Sequence, residues 1–237
     1  MSKAKVYLIP NFLGPEVSET RSFPAENKET ITSLSHFAVE NLKDTRRFLV
    51  RLGLKSKIDG SEFYQLDKKS GWDEIQPMIS ALKEGNSIGI ISDAGCPGIA
   101  DPGSLLVKHA HMNGFQTVPL IGPSSIFLAL MASGFNGQSF TFKGYLNRDS
   151  ILKTKEIREM ESMANKSYQT QIFMETPYRN EAMWEDLMKT LQGDTKLCVA
   201  ANISLPNEYI KTKTVAEWKK SNKQNLAKIP AIFLIGS

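Results

Sequence analysis

The sequence predicts an α/β protein of two domains, on three observations. Short apolar runs alternate with helix-period segments through the first half, the pattern of βαβ units that build a parallel sheet. One run, NSIGIIS at residues 86–92, is almost continuously apolar at Ile88, Ile90 and Ile91, as expected of a strand covered on both faces. In the second half strands follow one another more closely, which points to a mixed sheet. We therefore expect an N-terminal domain over residues 1–120 with a mainly parallel sheet, and a C-terminal domain over 121–237 with a mixed one.

The elements follow in order. KVYLIP reads as a first strand stopped by Pro10, and NFLGPEVSE as the loop after it. SHFAVEN is a second strand. KDTRRFLVRLG is a helix with Phe48, Leu49 and Leu52 on one side and Gly53 as its stop. GWDEIQPMISALKEG places Trp72, Ile75, Ile79 and Leu82 at helical spacing, and NSIGIIS follows as a strand. A helix near SLLVKHAHMNG and the strand QTVPLIG complete the first half. Beyond it come the apolar helix GPSSIFLALMASGF, the strand SFTFKGYL and the charged helix SILKTKEIREMESMANK. The strand YQTQIFME, the helix RNEAMWEDLMKTLQG, the strand KLCVAANIS and the hairpin arm EYIKTKT are next. The helix VAEWKKSNK and the strand AIFLIGS end the chain.

Composition narrows the function classes. With 29 Lys and Arg against 25 Asp and Glu the net charge is +4, which permits a polyanionic partner without demanding one. Cys96, Cys198 and three histidines are too few and too scattered for a disulfide framework or a metal site, so no metal and a reducing cytoplasmic setting are expected. No run approaches eighteen apolar residues, so no membrane span is expected. The chain lacks G-x-G-x-x-G after its first strand, G-x-x-x-x-G-K-[ST] and G-x-S-x-G, which disfavours nicotinamide dehydrogenases, P-loop NTPases and α/β-hydrolases.

Three segments are candidates for chemistry. SDAGCPGIADPG, residues 92–103, directly follows the buried strand and carries three glycines, two prolines, Asp93 and Asp101. Ligands of parallel sheets bind beyond the carboxyl ends of the strands, where Asp93 would stand, although such a loop also suits plain turn chemistry. IGPSSIFLAL puts Ser124 and Ser125 in the first turn of a helix, where free N–H groups and hydroxyls suit a ligand or simply cap the helix. FMETPYR ends a strand at Glu175, a possible base or orienting carboxylate, with Arg179 placed either to hold phosphate or to pair with Glu175.

These residues together resemble a known family. KVYLIP, SDAGCPGIADPG, PLIGPSSIFLALMASG, FKGYLNR and FMETPYR occur in the order seen in the tetrapyrrole methylase superfamily of S-adenosylmethionine-dependent methyltransferases. The branch most similar is the ribosomal small-subunit methyltransferase I group, which methylates a cytidine 2′-hydroxyl of small-subunit rRNA. The resemblance implies the tetrapyrrole methylase fold, also called class III: two α/β domains with S-adenosylmethionine in the cleft between them, in a cytoplasmic homodimer. It implies cofactor contacts at Pro10, Ala94, Gly95, Cys96, Ile99, Ser124 and Ser125, and on the adenosine side at Met174, Ala200, Ala201 and Pro230. Asp93, Asp101 and Glu175 are the candidate catalytic groups. Lys43, Arg46, Arg148 and Arg179 are the candidates for holding rRNA phosphates.

The chain also departs from the group's pattern. PNFLGPE stands where P-T-P-I-G-N-L is usual, and ENLKDTR stands for E-D-T-R-x-T-R, with Asn41 and Lys43 at the Asp and Arg positions. Ala201 and Asn202 occupy the arginine and glutamate positions of A-R-E-L-T-K, and Cys96 a position where Thr is usual. The changes concentrate in the substrate shell, which leaves two rival expectations: a methyltransferase acting on a tetrapyrrole or other metabolite, and a catalytically silent cofactor-binding or RNA-binding paralogue.

Overall fold

The computed structural model describes residues 4–18, 22–67, 69–221 and 225–237. The chain forms two compact units, Met1–Ser124 and Ser125–Ser237. Each is built on a five-stranded sheet.

The first unit runs β1 (Lys5–Ile9), α1 (Ala25–Ser33), β2 (His36–Val39), α2 (Leu42–Arg51), α3 (Ser56–Asp59), β3 (Glu62–Gln65), α4 (Trp72–Lys83), β4 (Ile88–Ile91), α5 (Ser104–Met112) and β5 (Gln116–Pro119). Its strand order is β3-β2-β4-β1-β5, and every pairing is parallel. β4 is buried along its whole length, with Val6 of β1 and His36 of β2 both in register with Ile88. Gly89 is small because its neighbours fill the space: a Cβ there would fall 2.5 Å from Ile9 Cδ1 and 3.0 Å from Leu34 Cδ1.

Ile75, Met78, Ile79 and Leu82 of α4 and Leu106 and Ala110 of α5 pack with Val6, Ile88 and Ile90 in one hydrophobic core. Trp72 departs from the expected stripe. It stays 49% exposed and lies against His109 of α5, with ring centroids 4.7 Å apart. α1, α3 and β3 are elements that the sequence pattern does not mark.

The second unit runs α6 (Ser125–Ser133), β6 (Phe140–Tyr145), α7 (Ser150–Ser167), β7 (Thr170–Glu175), a 3₁₀ turn (Pro177–Arg179), α8 (Asn180–Thr190), β8 (Lys196–Ala201), β9 (Tyr209–Thr214), α9 (Val215–Lys220) and β10 (Ala231–Gly236). The order is β6-β7-β10-β8-β9, with β6 and β7 parallel and the remaining pairs antiparallel, so the sheet is mixed. Its core joins Ile157 and Met160 of α7, Met183 and Leu187 of α8 and Trp218 of α9 to Phe173, Val199 and Phe233 of the sheet. α9 closes at Lys220, and residues 222 and 223 of the helix expected there lie outside the described residues.

Candidate functional site

Three adjacent strands of the first sheet, β4, β1 and β5, end at the same edge, and their loops are fastened to one another there. Asn11 does most of the fastening. Its backbone N–H donates to Gly95 O at 2.8 Å and its carbonyl accepts from Gly95 N at 3.1 Å. Its side-chain Nδ2 donates to Ser92 O at 2.9 Å and to Asp93 O at 3.2 Å, while Oδ1 accepts from Phe12 N. Asn11 is 7% exposed, so these bonds satisfy an amide whose burial would otherwise be costly.

The β5 loop closes on the same point. Gly122 lies against Pro10, with no room for a Cβ, and the Cys96 thiol donates to Pro123 O at 3.5 Å. Gly95 has φ +68°, the left-handed conformation that a side chain resists.

The candidate cofactor residues of this unit therefore gather at one sheet end. Pro10 and Gly95 are buried, Cys96 and Ser124 half-buried, and Ala94 and Ile99 exposed. Burial and then the Asp101 charge push the Cys96 thiol pKa up, which disfavours the thiolate.

The two aspartates of the loop differ. The Asp101 carboxylate turns into the loop, where its Oδ2 lies 2.5 Å from the Ser92 hydroxyl, and Ser92 also accepts from Ala94 N. Asp93 is half-buried. Its pKa is raised above the ordinary carboxylate value by burial first and then by the charges of Asp44 and Asp101, against a lowering hydrogen bond from the Asn41 backbone.

Asn41 also caps α2, accepting from Lys43 N and Asp44 N at 3.0 and 3.3 Å, so the start of α2 and Asp93 share one residue. Lys43, Arg46, Arg47, Val50 and Arg51 line a shallow depression of about 440 Å³ on α2. Arg47 pairs with Asp44 at 2.9 Å. Arg51 is committed inward, donating to the carbonyls of Gly14 and Val17 and lying 3.8 Å from the centre of the Phe12 ring. Lys43 and Arg46 are exposed. Asn11, Asp44 and Arg51 were missed by sequence reasoning. Only Asn11, polar and directly after the Pro10 that stops the first strand, carried a local signal.

The second unit brings its own candidates together. Register places Ala200 opposite Ile232 and Ile232 opposite Met174, with Ala201, Ala231 and Glu175 in the next row, and Pro230 immediately before that row. Ala200 and Ala201 are both fully buried, so neither offers a surface to a ligand, against the expectation that they contact the cofactor. Glu175, 6% exposed, is internally paired: Oε1 accepts from Arg179 Nη2 at 2.5 Å, Arg179 Nε at 3.0 Å and Thr176 N at 2.6 Å. Arg179 and Glu175 thus use each other. Ser125 opens α6, and Arg148 is exposed in the loop before α7. Among the described residues no group of three or more His, Cys, Asp or Glu side chains is placed to hold a metal, and no helix is long and apolar enough to cross a membrane.

A parallel sheet whose strand-end loops converge on a half-buried aspartate, followed by a mixed-sheet unit, defines a class of α/β ligand-binding protein. The pattern of the tetrapyrrole (corrin/porphyrin) methylases matches residues 38–219, and the chain belongs to that family. Ribosomal RNA small subunit methyltransferase I of Bacillus subtilis is 31% identical to it over 212 residues, 90% of this chain and 68% of that one. The protein of the same name from Vibrio cholerae is 30% identical over 189 residues, 80% of this chain, and the match spans only 62% of that relative's length. Among solved structures, the methyltransferase CobJ matches with a TM-score of 0.64 at 15% identity, covering 99% of this chain and 94% of that one, a likeness of fold.

Proposed function

We propose that the protein is an S-adenosylmethionine-dependent methyltransferase acting on a ribose 2′-hydroxyl of small-subunit rRNA. The observation that carries this reading is the convergence of the β1, β4 and β5 loops around Asp93, which also meets Asn41 at the start of α2, the helix that carries exposed Lys43 and Arg46. The relatives' printed name supplies the acceptor class.

The residues present fit the donor. Left-handed Gly95 and Cβ-less Gly122 let backbone from three loops meet, exposing Ala94 and Ile99. The β5 loop adds the hydroxyl and N–H groups of Ser124, and Ser125 follows it in the chain. In the second unit half-buried Met174 and exposed Pro230 offer an apolar edge suited to the nucleoside, while fully buried Ala200 lies behind it. When bound, the donor supplies a methyl group already activated on a sulfonium, so the protein's work is alignment and exclusion of water.

Asp93 is the group we assign to take the proton of the attacking hydroxyl. Its raised pKa makes it a stronger base than an ordinary aspartate, and Asn41 N–H holds its orientation. Asp101 braces the loop through Ser92, and Glu175 positions Arg179. Lys43 and Arg46 hold phosphates, with Arg148 a further contact from the second unit. A cytoplasmic homodimer is the setting this reading carries.

The test is methyl transfer from labelled S-adenosylmethionine to small ribosomal subunits from cells lacking this protein, followed by nucleoside digestion. Label in a 2′-O-methylated nucleoside is expected. Label only in a tetrapyrrole or other small metabolite, or donor binding without transfer, would reject the rRNA reading.

A further inference from the structure

The second unit leads into β10 through a segment without regular structure, residues 226–230, that is fastened at almost every position. Leu226 N donates to Glu181 Oε1 at 2.7 Å, and Lys228 N to Pro177 O at 3.0 Å. Asn180 Nδ2 donates to Ile229 O at 2.7 Å, and Pro230 O accepts from Asn202 N at 3.0 Å. The fastenings come from the 3₁₀ turn, the first turn of α8 and the end of β8. Lys228 and Asn202 have φ of +60° and +50°, so the backbone here is held in conformations that non-glycine residues resist.

Asn180 is the unusual member. It is fully buried, yet its Oδ1 has no hydrogen-bond partner among the described residues. The amide is oriented by its neighbour, because a carbonyl only accepts and Ile229 O must face Nδ2. An apolar side chain of similar size removes the unpaired Oδ1 but also strips the Ile229 carbonyl of its donor, so leucine relieves one unmet group and creates another. Leucine has no donor with which to hold the Ile229 carbonyl. With no exposed surface, Asn180 touches no ligand and acts only through Ile229 on the adjoining Pro230.

We infer that Asn180 is a positioning residue for the nucleoside end of the methyl donor: it fixes residues 226–230 so that Pro230, exposed just before β10, presents a preformed edge. This rests on the donor site proposed above. A loose segment would lose its conformational entropy each time the donor bound, whereas a fastened one has lost it already on folding.

The test compares the full chain with Asn180→Leu, and with Asn180→Ser, which opens space rather than filling it. The measurements are calorimetry with S-adenosylhomocysteine, steady-state kinetics, thermal melts and amide hydrogen exchange of the ligand-free protein. In Asn180→Leu the dissociation constant and the donor KM should rise about tenfold or more. Its kcat at saturating donor should stay within about twofold, with the affinity loss present at temperatures well below its melting transition. Exchange should quicken at Leu226 and Lys228 and not in β7, β8 or β10.

Parent-like donor affinity in both variants, or unchanged exchange at 226–230, overturns the proposal. So does an affinity loss that only tracks a falling melting temperature. If the parent protein binds no S-adenosylhomocysteine, the donor-site reading itself fails and this role goes with it, while the exchange data still show whether Asn180 fastens the segment.

Discussion

Adding one methyl group at position 122 tests the convergence of strand ends on which the site depends. A Cβ built on Gly122 falls 2.1 Å from Pro10 Cγ and 2.4 Å from Pro10 Cβ. Carbon atoms pack at about 3.5–4.0 Å, so the proline or the 121–123 backbone must yield by roughly 1.4 Å. Pro10 is buried and its ring fixes φ, leaving little freedom to move aside. Asn11 follows it, bonded to Gly95 through both backbone groups, so movement of Pro10 is passed to the loop that carries Asp93.

Overpacking of this kind costs about 1–3 kcal/mol. For a chain of this size that lowers the melting temperature by roughly 2–12 °C. Donor affinity should fall about tenfold, because the displaced loops are the ones assigned to hold the donor. Gly137→Ala is the control, since among the described residues nothing lies within 4 Å of its added Cβ, and its effect should stay within about 0.5 kcal/mol. Calorimetry and thermal melts read both variants. A Gly122→Ala protein with parental melting temperature and parental donor affinity would refute the convergence.

Asp93→Asn should lower methyl transfer by about 10²–10⁴-fold, and parent activity should fail on the acid side at a higher pH than an unperturbed aspartate allows. The stability effect has the opposite sign: a raised carboxylate pKa gives stability that is present at low pH and lost as pH rises through it, so Asp93→Asn should gain most in thermal melts at pH 8 relative to pH 4. Glu175→Gln leaves Arg179 without its charged partner, and because the Arg179 side chain is 34% exposed the cost should be about 1–3 kcal/mol, below that of a fully buried pair. The kcat of the folded variant should remain near the parent value, and a hundredfold loss at unchanged stability would instead make Glu175 catalytic. Reversing charge at Lys43 and Arg46 should weaken RNA binding and flatten its salt dependence by about 0.7 for each phosphate that is no longer neutralised, as read by filter binding between 50 and 200 mM salt.

Much of the architecture was legible because local pattern and tertiary role agree in it. Ile88, Ile90 and Ile91 are apolar in succession and β4 is buried throughout. The loop after β4 advertised its turns through its glycines. β3 was not legible because it is a half-exposed edge strand with a single neighbour, and α1 because AENKETITS has no clear apolar face. Trp72 fits a helical stripe by spacing, yet it lies outside the packed face and against His109. The fastenings of the site were hidden for a different reason: Asn11 reaches partners 81 and 82 residues away, and Asn180 a partner 49 away, and no local window registers such pairs. The Glu175–Arg179 spacing was visible, but only burial of the carboxylate decided between an ion pair and a free base.

The first unit builds the two sides of its site by different means, and the difference bears on specificity. On the loop side, Gly95, Gly98, Ala100 and Gly103 all have positive φ within nine residues, and the Asn11 bonds and the Ser92–Asp101 contact hold the loop in that shape. Ala100 at φ +60° costs about 1 kcal/mol or more, which a turn used only as a connection has no reason to retain. Such a surface suits a small ligand of fixed shape that is met again at every turnover. On the α2 side Lys43 and Arg46 are exposed, long and flexible on a regular helix, a surface that reads charge along a polyanion but fixes no single geometry. On the proposed reading the loop sets where the reacting atoms sit, and the helix sets which strand is delivered there. Exchanging the α2 cations should therefore change acceptor choice while donor affinity stays at its parental value, and a matching loss of donor binding in those variants would show that the two sides are not separable.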